Sequence, residues 1–246
     1  MSVLTSTRAS DRLLERPFDG RFFQSHSLFW ALVPSASRFS SESDWPPVET
    51  YARAFSDTSP PPVRFEPAPP PRGRRRTPVD PGRLYDARIT HDRCVPTRPR
   101  SWHDFLNALV WATFPRAKAA LHARQHRALV AWAQSGRETM IVEKLPNART
   151  RELDALALVD EGGVLDLVDG SAPIIFGHAL YEGLVLGTRA MIARTVVLPG
   201  SVKHADELLA ARLGKPLAPE HLPRTAVPLH FFEHLGRGSN TLPAGR

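Results

Sequence analysis

The chain has 246 residues, of which 42% are apolar and 23% are charged, an ordinary composition for a globular protein. Its 15 glycines follow no three-residue period, which excludes collagen, and its clustered apolar residues exclude full disorder. No apolar run approaches the roughly 18 residues that a membrane-spanning helix needs. Proline is the unusual component, because its 24 copies are about twice the usual share of about 5%.

Charge and cysteine content further restrict the possible partners and cellular location of the protein. The net charge is +7, with +9 on residues 1–150 and −2 on residues 151–246. A basic surface attracts nucleic acid or an acidic partner, although an arginine-rich proteome gives the same surplus without any ligand. The single Cys94 excludes an internal disulfide, and the N-terminal residues lack the apolar segment of a secretory signal. We therefore expect a cytoplasmic protein that does not enter a membrane.

The N-terminal third alternates between polar and proline-rich segments. We expect residues 1–17 and 236–246 to be disordered, because both are polar and lack apolar periodicity. Asp44, followed by two prolines and helically spaced apolar residues, predicts the start of a helix. Nine prolines between residues 59 and 82 exclude a helix or a central strand, so a loop with one short edge strand is predicted there. The arginine run at 72–76 lies in this loop and is solvated or, as the alternative, contacts nucleic acid.

A long helical stretch begins at Ser101 and carries apolar residues at helical spacing. Pro115 removes a backbone hydrogen bond and clashes with the preceding turn, so we predict a kink or two abutting helices. The second part runs to about residue 134, and Gly136 is suited to end it.

The C-terminal half mixes strand and helix patterns. Two apolar runs joined by an acidic, glycine-containing turn predict a β-hairpin over about 154–168. A helix is expected from Pro173 to about Leu186, a further strand over about 191–198, and a helix over 201–213. This order predicts the α+β class, with a small sheet packed against several helices.

One stretch of sequence carries a recognisable signature. It comprises Val95–Arg98, then Trp102–Trp111, and then Phe114–Lys118. With these motifs the chain resembles a bacterial family of uncharacterised proteins, domain-of-unknown-function family 3025. The resemblance implies one domain over 18–235 that includes the loop at 59–82, and it implies no known activity, cofactor or substrate.

Further motifs extend this likeness to roughly residues 18–200. They are Leu84–Ile89, Asp154–Gly162 and Phe176–Glu182. The C-terminal part departs from the family pattern, because it has no Pro-Gly-Trp element there.

A first polar cluster lies at the start of the long helical stretch. His103 and Asn107 are four residues apart, which places them on one face of a helix. Asp104 with Ser101 resembles a capping box, in which each side chain satisfies the other's backbone N–H. Capping explains Asp104 but leaves His103 and Asn107 as candidates for a functional site.

A second cluster, His178 and Glu182, lies on a predicted helix that is otherwise nearly all apolar. A buried carboxylate without a partner is costly, so Glu182 requires a cation, a metal ion or a hydrogen bond. The two residues form either a structural His–Glu pair or two ligands of one ion.

The remaining candidates are acidic and basic residues near these clusters. Asp160 and Glu161 occupy the predicted hairpin turn, where they are either solvated or part of a site. Lys118, with Arg116, follows Pro115 and could meet an anion at a helix N-terminus. His122 and His126 could chelate a metal, but the arginines beside them favour a solvated face.

Two hypotheses follow. In the first, the protein is a metal-assisted hydrolase of the phosphoester class. Its catalytic residues are His103, Asp104, Asn107 and Lys118, and a divalent metal is bound by Asp160, Glu161, His178 and Glu182. This hypothesis requires His178 to lie within about 10 Å of His103 or Asp160, because metal–ligand bonds reach only about 2 Å. In the second, the chain is a non-enzymatic module that binds nucleic acid or a protein through its basic N-terminal half.

Overall fold

The computed structural model describes residues 16–55, 60–68, 84–134, 150–188 and 190–228. It confirms the α+β class, because helices pack around two small sheets. Most of the predicted disordered ends (residues 1–15 of 1–17, and all of 236–246) and most of the proline-rich loop lie outside the described residues. No helix in the described ranges combines the length and apolarity needed to cross a membrane.

The N-terminal part is built from short helices. Helix α1 spans Val33–Ala36, and 3-10 helices span Phe22–Gln24, Ser27–Leu32, Ser37–Phe39 and Val48–Ala54. The helix expected after Asp44 therefore forms in the 3-10 conformation, beginning directly after Pro47.

A two-stranded parallel sheet follows. Strand β1 (Arg64–Pro67) pairs with β2 (Cys94–Thr97), which confirms the short strand expected in the proline-rich segment. The Cys94 thiol is buried in β2.

Three helices form the centre of the fold: α2 (Tyr85–Asp92), α3 (Trp102–Thr113) and α4 (Pro115–Gln134). The predicted break at Pro115 is confirmed, because Phe114 leaves the helical conformation with φ −129° and ψ 59°. Eight of the twelve residues of α3 are buried, and its Trp102 and Phe105 pack against Phe18 and Phe22. Helix α3 is therefore held rigidly in the core, which fixes the direction of its few polar side chains.

The C-terminal part contains the second sheet. Its elements are α5 (Arg151–Gly162), β3 (Gly163–Leu167), β4 (Ile174–Ile175), α6 (His178–Val185), β5 (Ala190–Leu198), α7 (Ala205–Leu213) and β6 (Arg224–Pro228). Short 3-10 helices span Val202–His204 and Pro219–His221. The strand order is β4-β3-β5-β6, with β3 and β5 parallel and the two outer strands antiparallel to their neighbours.

The predicted β-hairpin over 154–168 is wrong in its first half. Residues 151–162 form α5, whose N-cap Thr150 accepts a hydrogen bond from the Leu153 N–H at 3.2 Å. Leu153, Leu156 and Val159 recur at helical spacing and are buried together. The run Ala-Leu-Ala-Leu fits helix or strand, and a cap at Thr150 with acidic residues in the first turn favours helix.

The helix expected from Pro173 also begins later than predicted. Ile174 and Ile175 pair with β3, and α6 starts only at His178. The strand predicted over about 191–198 is confirmed as β5, and the helix predicted over 201–213 forms as a 3-10 turn followed by α7.

Gly177 lets α6 begin directly against the end of α5. Its N–H donates to the Gly163 carbonyl at 2.9 Å. A Cβ atom at this position would lie 2.5 Å from the Glu161 oxygen and from the Gly162 and Gly163 nitrogens, which are all backbone atoms. Only glycine permits this approach.

We expect Gly177→Ala to lower the free energy of unfolding by at least about 3 kcal/mol, because a rigid backbone must move to admit the methyl group. Gly214→Ala is the matched control, since its φ is also −67° and its nearest neighbour would be 3.5 Å away. Urea denaturation of both variants measures the difference. Equal stability of the two variants would contradict the close packing of α6 on α5.

Candidate metal centre

A cavity of about 310 Å³ opens where α2, α3, α5 and the first turn of α6 meet. Six of the eight site residues proposed from the sequence lie in its wall. The other two, Lys118 and Glu182, each bind a residue of the wall from behind. The wall consists of Ala68, Tyr85, Pro96, Arg98, His103, Asp104, Asn107, Asp160, Glu161 and His178.

Three donor atoms converge in this cavity. His103 Nε2 and His178 Nε2 are 2.9 Å apart, and His178 Nε2 is 3.5 Å from Glu161 Oε2. One ligand atom from each of the three residues lies within 4.8 Å of the others. Both separations, 2.9 and 3.5 Å, are less than twice a metal–ligand bond of about 2.0–2.2 Å, so each of these donor pairs could hold one metal ion. The proximity that the metal hypothesis required is therefore present.

Glu182 orients His103 rather than pairing with His178, which corrects the pairing considered from their spacing. Its Oε2 lies 3.0 Å from His103 Nδ1. A carboxylate on Nδ1 fixes the tautomer in which Nε2 carries the free lone pair. Glu182 thus occupies the position of an orienting carboxylate, and Glu161 is the carboxylate that faces the two Nε2 atoms.

Asp160 lies near the inner nitrogen of His178 but forms no hydrogen bond to it. Its Oδ1 lies 3.9 Å from His178 Nδ1 and accepts a hydrogen bond from Lys118 Nζ at 2.5 Å. The Lys118 side chain is fully buried, with its ammonium 5.8 Å from the Trp111 ring centroid. Direct contact between Lys118 and a substrate anion does not fit this burial.

The N-terminus of α4 is not a free anion site. Asp206 of α7 accepts hydrogen bonds from the Arg116 and Ala117 N–H groups at 3.1 and 2.8 Å, and Arg116 pairs with Glu207. The anion expected at this helix end is therefore the chain's own Asp206 carboxylate, which leaves the helix N-terminus occupied.

Among the three candidate ligands, only His178 has its pKa shifted towards the form that binds a metal, whereas the pKa values of His103 and Glu161 are raised. Burial lowers the pKa of His178 to about 3, although the charge of Asp160 opposes the shift. Burial alone would raise the pKa of Asp160, but the charges of Lys118 and His178 outweigh it and hold that pKa below its usual range. At neutral pH His178 is therefore neutral and Asp160 is ionised. Burial lowers the pKa of His103, but the hydrogen bond to Glu182 and the charges of Glu161, Glu182 and Asp104 together outweigh it, and the net shift is upward.

Asp104 forms only half of the expected capping box. Its backbone N–H donates to Ser101 Oγ at 3.3 Å, as predicted. Its carboxylate does not return to Ser101; it accepts hydrogen bonds from the Arg98 backbone N–H and guanidinium, the latter at 2.8 Å. Asp104 thereby fixes Arg98 at the rim of the cavity.

Comparison with known proteins gives one match. A family model described as a protein of unknown function (DUF3025) matches residues 75–172. The match supports the family resemblance over these residues, which are 98 of the 246 in the chain. No curated protein and no solved structure matches the chain.

The region matched by DUF3025 includes most of the cavity wall. Two of the wall residues in it, Tyr85 and Arg98, were not among the site residues predicted from the sequence. Tyr85 begins α2, and its hydroxyl accepts a hydrogen bond from Asn107 Nδ2 at 3.3 Å. Arg98 follows β2 and is held by Asp104. Both lie in motifs of the DUF3025 resemblance, so those motifs were the signal that could have identified them.

A second histidine pair serves as a comparison within the same chain. His91 Nε2 and His126 Nε2 are 3.0 Å apart. No third ligand group joins them among the described residues, where only His103, Glu161 and His178 form such a set. His122 and His126 are both buried, which corrects the solvated face expected for them.

We expect Lys118→Met to destabilise the metal-free protein by about 3–5 kcal/mol, because it leaves the Asp160 carboxylate buried without its cation. The double variant Lys118→Met with Asp160→Asn should recover much of this loss, since both charges are then removed. Urea denaturation in the presence of a chelator measures both. If the double variant is no more stable than the single variant, the unpaired Asp160 charge is not the cause of the lost stability.

We expect Glu182→Ala to weaken divalent metal binding about 10- to 100-fold without unfolding the protein, because the tautomer and orientation of His103 are no longer fixed. Glu207→Ala is the control, since Glu207 also contacts a histidine, His204 at 3.3 Å, but outside the cavity. Isothermal titration with zinc measures both affinities. If the zinc affinity of Glu182→Ala is unchanged, Glu182 does not orient His103 for metal binding.

Proposed function

We propose that this cavity binds one divalent metal ion through His103, His178 and Glu161 and uses it to hydrolyse a phosphoester. The observation that carries the proposal is the convergence of two Nε2 atoms and one carboxylate within 4.8 Å, with carboxylates behind both imidazoles. Two imidazoles with one carboxylate suit zinc, manganese or iron.

The second histidine pair sharpens this argument. A separation of about 3 Å between two Nε2 atoms occurs at His91 and His126 as well, so it does not by itself indicate a metal. The site at His103 differs because a third donor, Glu161, faces the same point. It differs also because Glu182 leaves the Nε2 lone pair of His103 directed at that point.

Three protein ligands leave coordination positions for water and substrate. A bound divalent ion lowers the pKa of a coordinated water and polarises a phosphoryl oxygen. Within the chain, Glu182 holds the proton on His103 Nδ1, and Asp160, kept ionised by Lys118, faces Nδ1 of His178. The Glu182 contact keeps Nε2 of His103 available for metal binding, and the lowered pKa of His178 keeps that histidine neutral.

The binding-module alternative draws less support from the described residues. Several arginines of the basic half are paired with carboxylates, namely Arg53 with Glu42, Arg88 with Glu66, and Arg98 with Asp104. The arginine run at 72–76 lies outside the described residues.

Metal binding is tested with protein stripped by a chelator and titrated with zinc and manganese. We expect one equivalent to bind and to raise the melting temperature of the wild type. His103→Asn and Glu161→Gln should each bind at least tenfold more weakly, because each removes one ligand. His91→Asn, in the second histidine pair, should bind like the wild type. Absence of metal binding by the wild type, or equal binding by all variants, would refute the metal centre.

Hydrolysis is tested with bis(p-nitrophenyl) phosphate, a generic phosphodiester. We expect turnover by the loaded wild type that is lost on chelation and in Glu161→Gln, while His91→Asn keeps it. A protein that binds one metal ion at this site but hydrolyses no phosphoester would contradict the hydrolase and leave the metal centre in place.

A further inference from the structure

A tyrosine without an assigned role, Tyr85, lines the same cavity as the candidate metal ligands. The Tyr85 hydroxyl accepts a hydrogen bond from Asn107 Nδ2 at 3.3 Å. Asn107 follows His103 by one helical turn, so the Cβ atoms of these residues are about 5–6 Å apart on one helix face. A small ligand that reaches the His103 side of the cavity therefore lies close to this hydroxyl.

The Tyr85–Asn107 pair has unused hydrogen-bonding capacity. Because Asn107 donates to the Tyr85 oxygen, the Tyr85 proton remains to be donated, and no described residue accepts it. Asn107 is only 7% exposed, yet its Oδ1 has no partner among the described residues. If the carboxamide is turned so that Tyr85 donates to Oδ1, the Asn107 NH2 becomes the unpaired donor instead. In either arrangement this wall of the cavity offers a neutral donor.

Arg98 is a second donor in the cavity wall, and two of its five N–H groups are already engaged. The Arg98 guanidinium donates to Asp104 through both Nε and Nη2. Although Tyr85 is 40% exposed as a whole, desolvation of its hydroxyl, together with the charges of Asp160 and Asp104, raises its pKa, so the hydroxyl keeps its proton throughout the physiological range. In the arrangement of the structure, with Asn107 donating to its oxygen, Tyr85 is therefore a protonated donor whose proton is not committed to another described residue.

We infer that Tyr85, positioned by Asn107, donates a hydrogen bond to an oxygen of the phosphoryl group that binds beside the metal. The inference rests on the proposed function and adds to it a substrate-binding residue. A fixed donor aimed at an oxygen on which negative charge develops strengthens as the transition state forms. Tyr85 is accordingly a catalytic residue, and Asn107 is a positioning residue.

The experiment compares zinc-loaded wild type with Tyr85→Phe and Tyr51→Phe, with inorganic phosphate as the probe. Tyr51 is a matched control, because its hydroxyl is buried without a partner in the described ranges and lies outside the cavity. Zinc affinity is measured first and should be the same in all three proteins, since neither substitution removes a ligand.

Phosphate is then titrated into each loaded protein by calorimetry. We expect the phosphate dissociation constant to rise about tenfold or more in Tyr85→Phe, the effect of losing one hydrogen bond to a charged group. Tyr51→Phe should match the wild type. With bis(p-nitrophenyl) phosphate, Tyr85→Phe should lower kcat more than it raises KM, because the bond strengthens in the transition state.

The failures are distinguishable. If the loaded wild type and Tyr85→Phe bind phosphate equally, or if the loaded wild type binds no phosphate, the inference is overturned while the metal centre remains. If the stripped wild type takes up no zinc, the proposed function falls first and the inference falls with it. Tyr85 is 40% exposed, so Tyr85→Phe should fold, and its melting temperature checks this.

Discussion

The buried ion pair between Lys118 and Asp160 is the constraint around which the site is organised. It joins the first turns of α4 to the last turn of α5, beneath the start of α6. A fully buried ammonium is expensive, and an apolar pair of similar volume is often as stable or more so. The Lys118–Asp160 pair is therefore not explained by a gain in folding stability. Its local effect is to hold a charged carboxylate in the interior, 3.9 Å from the inner nitrogen of His178.

The two imidazoles that meet in the cavity are supported unequally. His103 is partly exposed and has a direct carboxylate partner, and its pKa is raised. His178 is buried, its Nδ1 has no hydrogen-bond partner among the described residues, and its pKa is lowered. The inner histidine is thus available as a neutral ligand over a wide pH range. His103, which is partly exposed, is the histidine through which the site meets solvent.

The sequence patterns predicted those structural features that depend only on residues close together in the chain. Pro115 had to interrupt the helical stretch, and the four-residue spacing of His103 and Asn107 had to place them on one face. The hairpin over 154–168 failed because an alternating Ala–Leu run is ambiguous, and the cap at Thr150 decides for helix. The Glu182 partner could not be predicted either, since it depends on how α6 packs against α3. Tyr85 and Arg98 reach the cavity only through the packing of α2 and β2, which no local spacing reveals.

The single thiol of the chain lies in β2, two residues before Pro96 and four before Arg98 in the cavity region. Cys94 is fully buried, and burial raises the pKa of its thiol to about 11, so it is doubly protected from alkylation while β2 stays in place. Because the chain contains no other cysteine, every alkylated molecule is one in which this strand has opened. The rate of Cys94 alkylation in the native protein thus reports the local opening of β2, which borders the cavity. A ligand that closes the cavity would lower this rate.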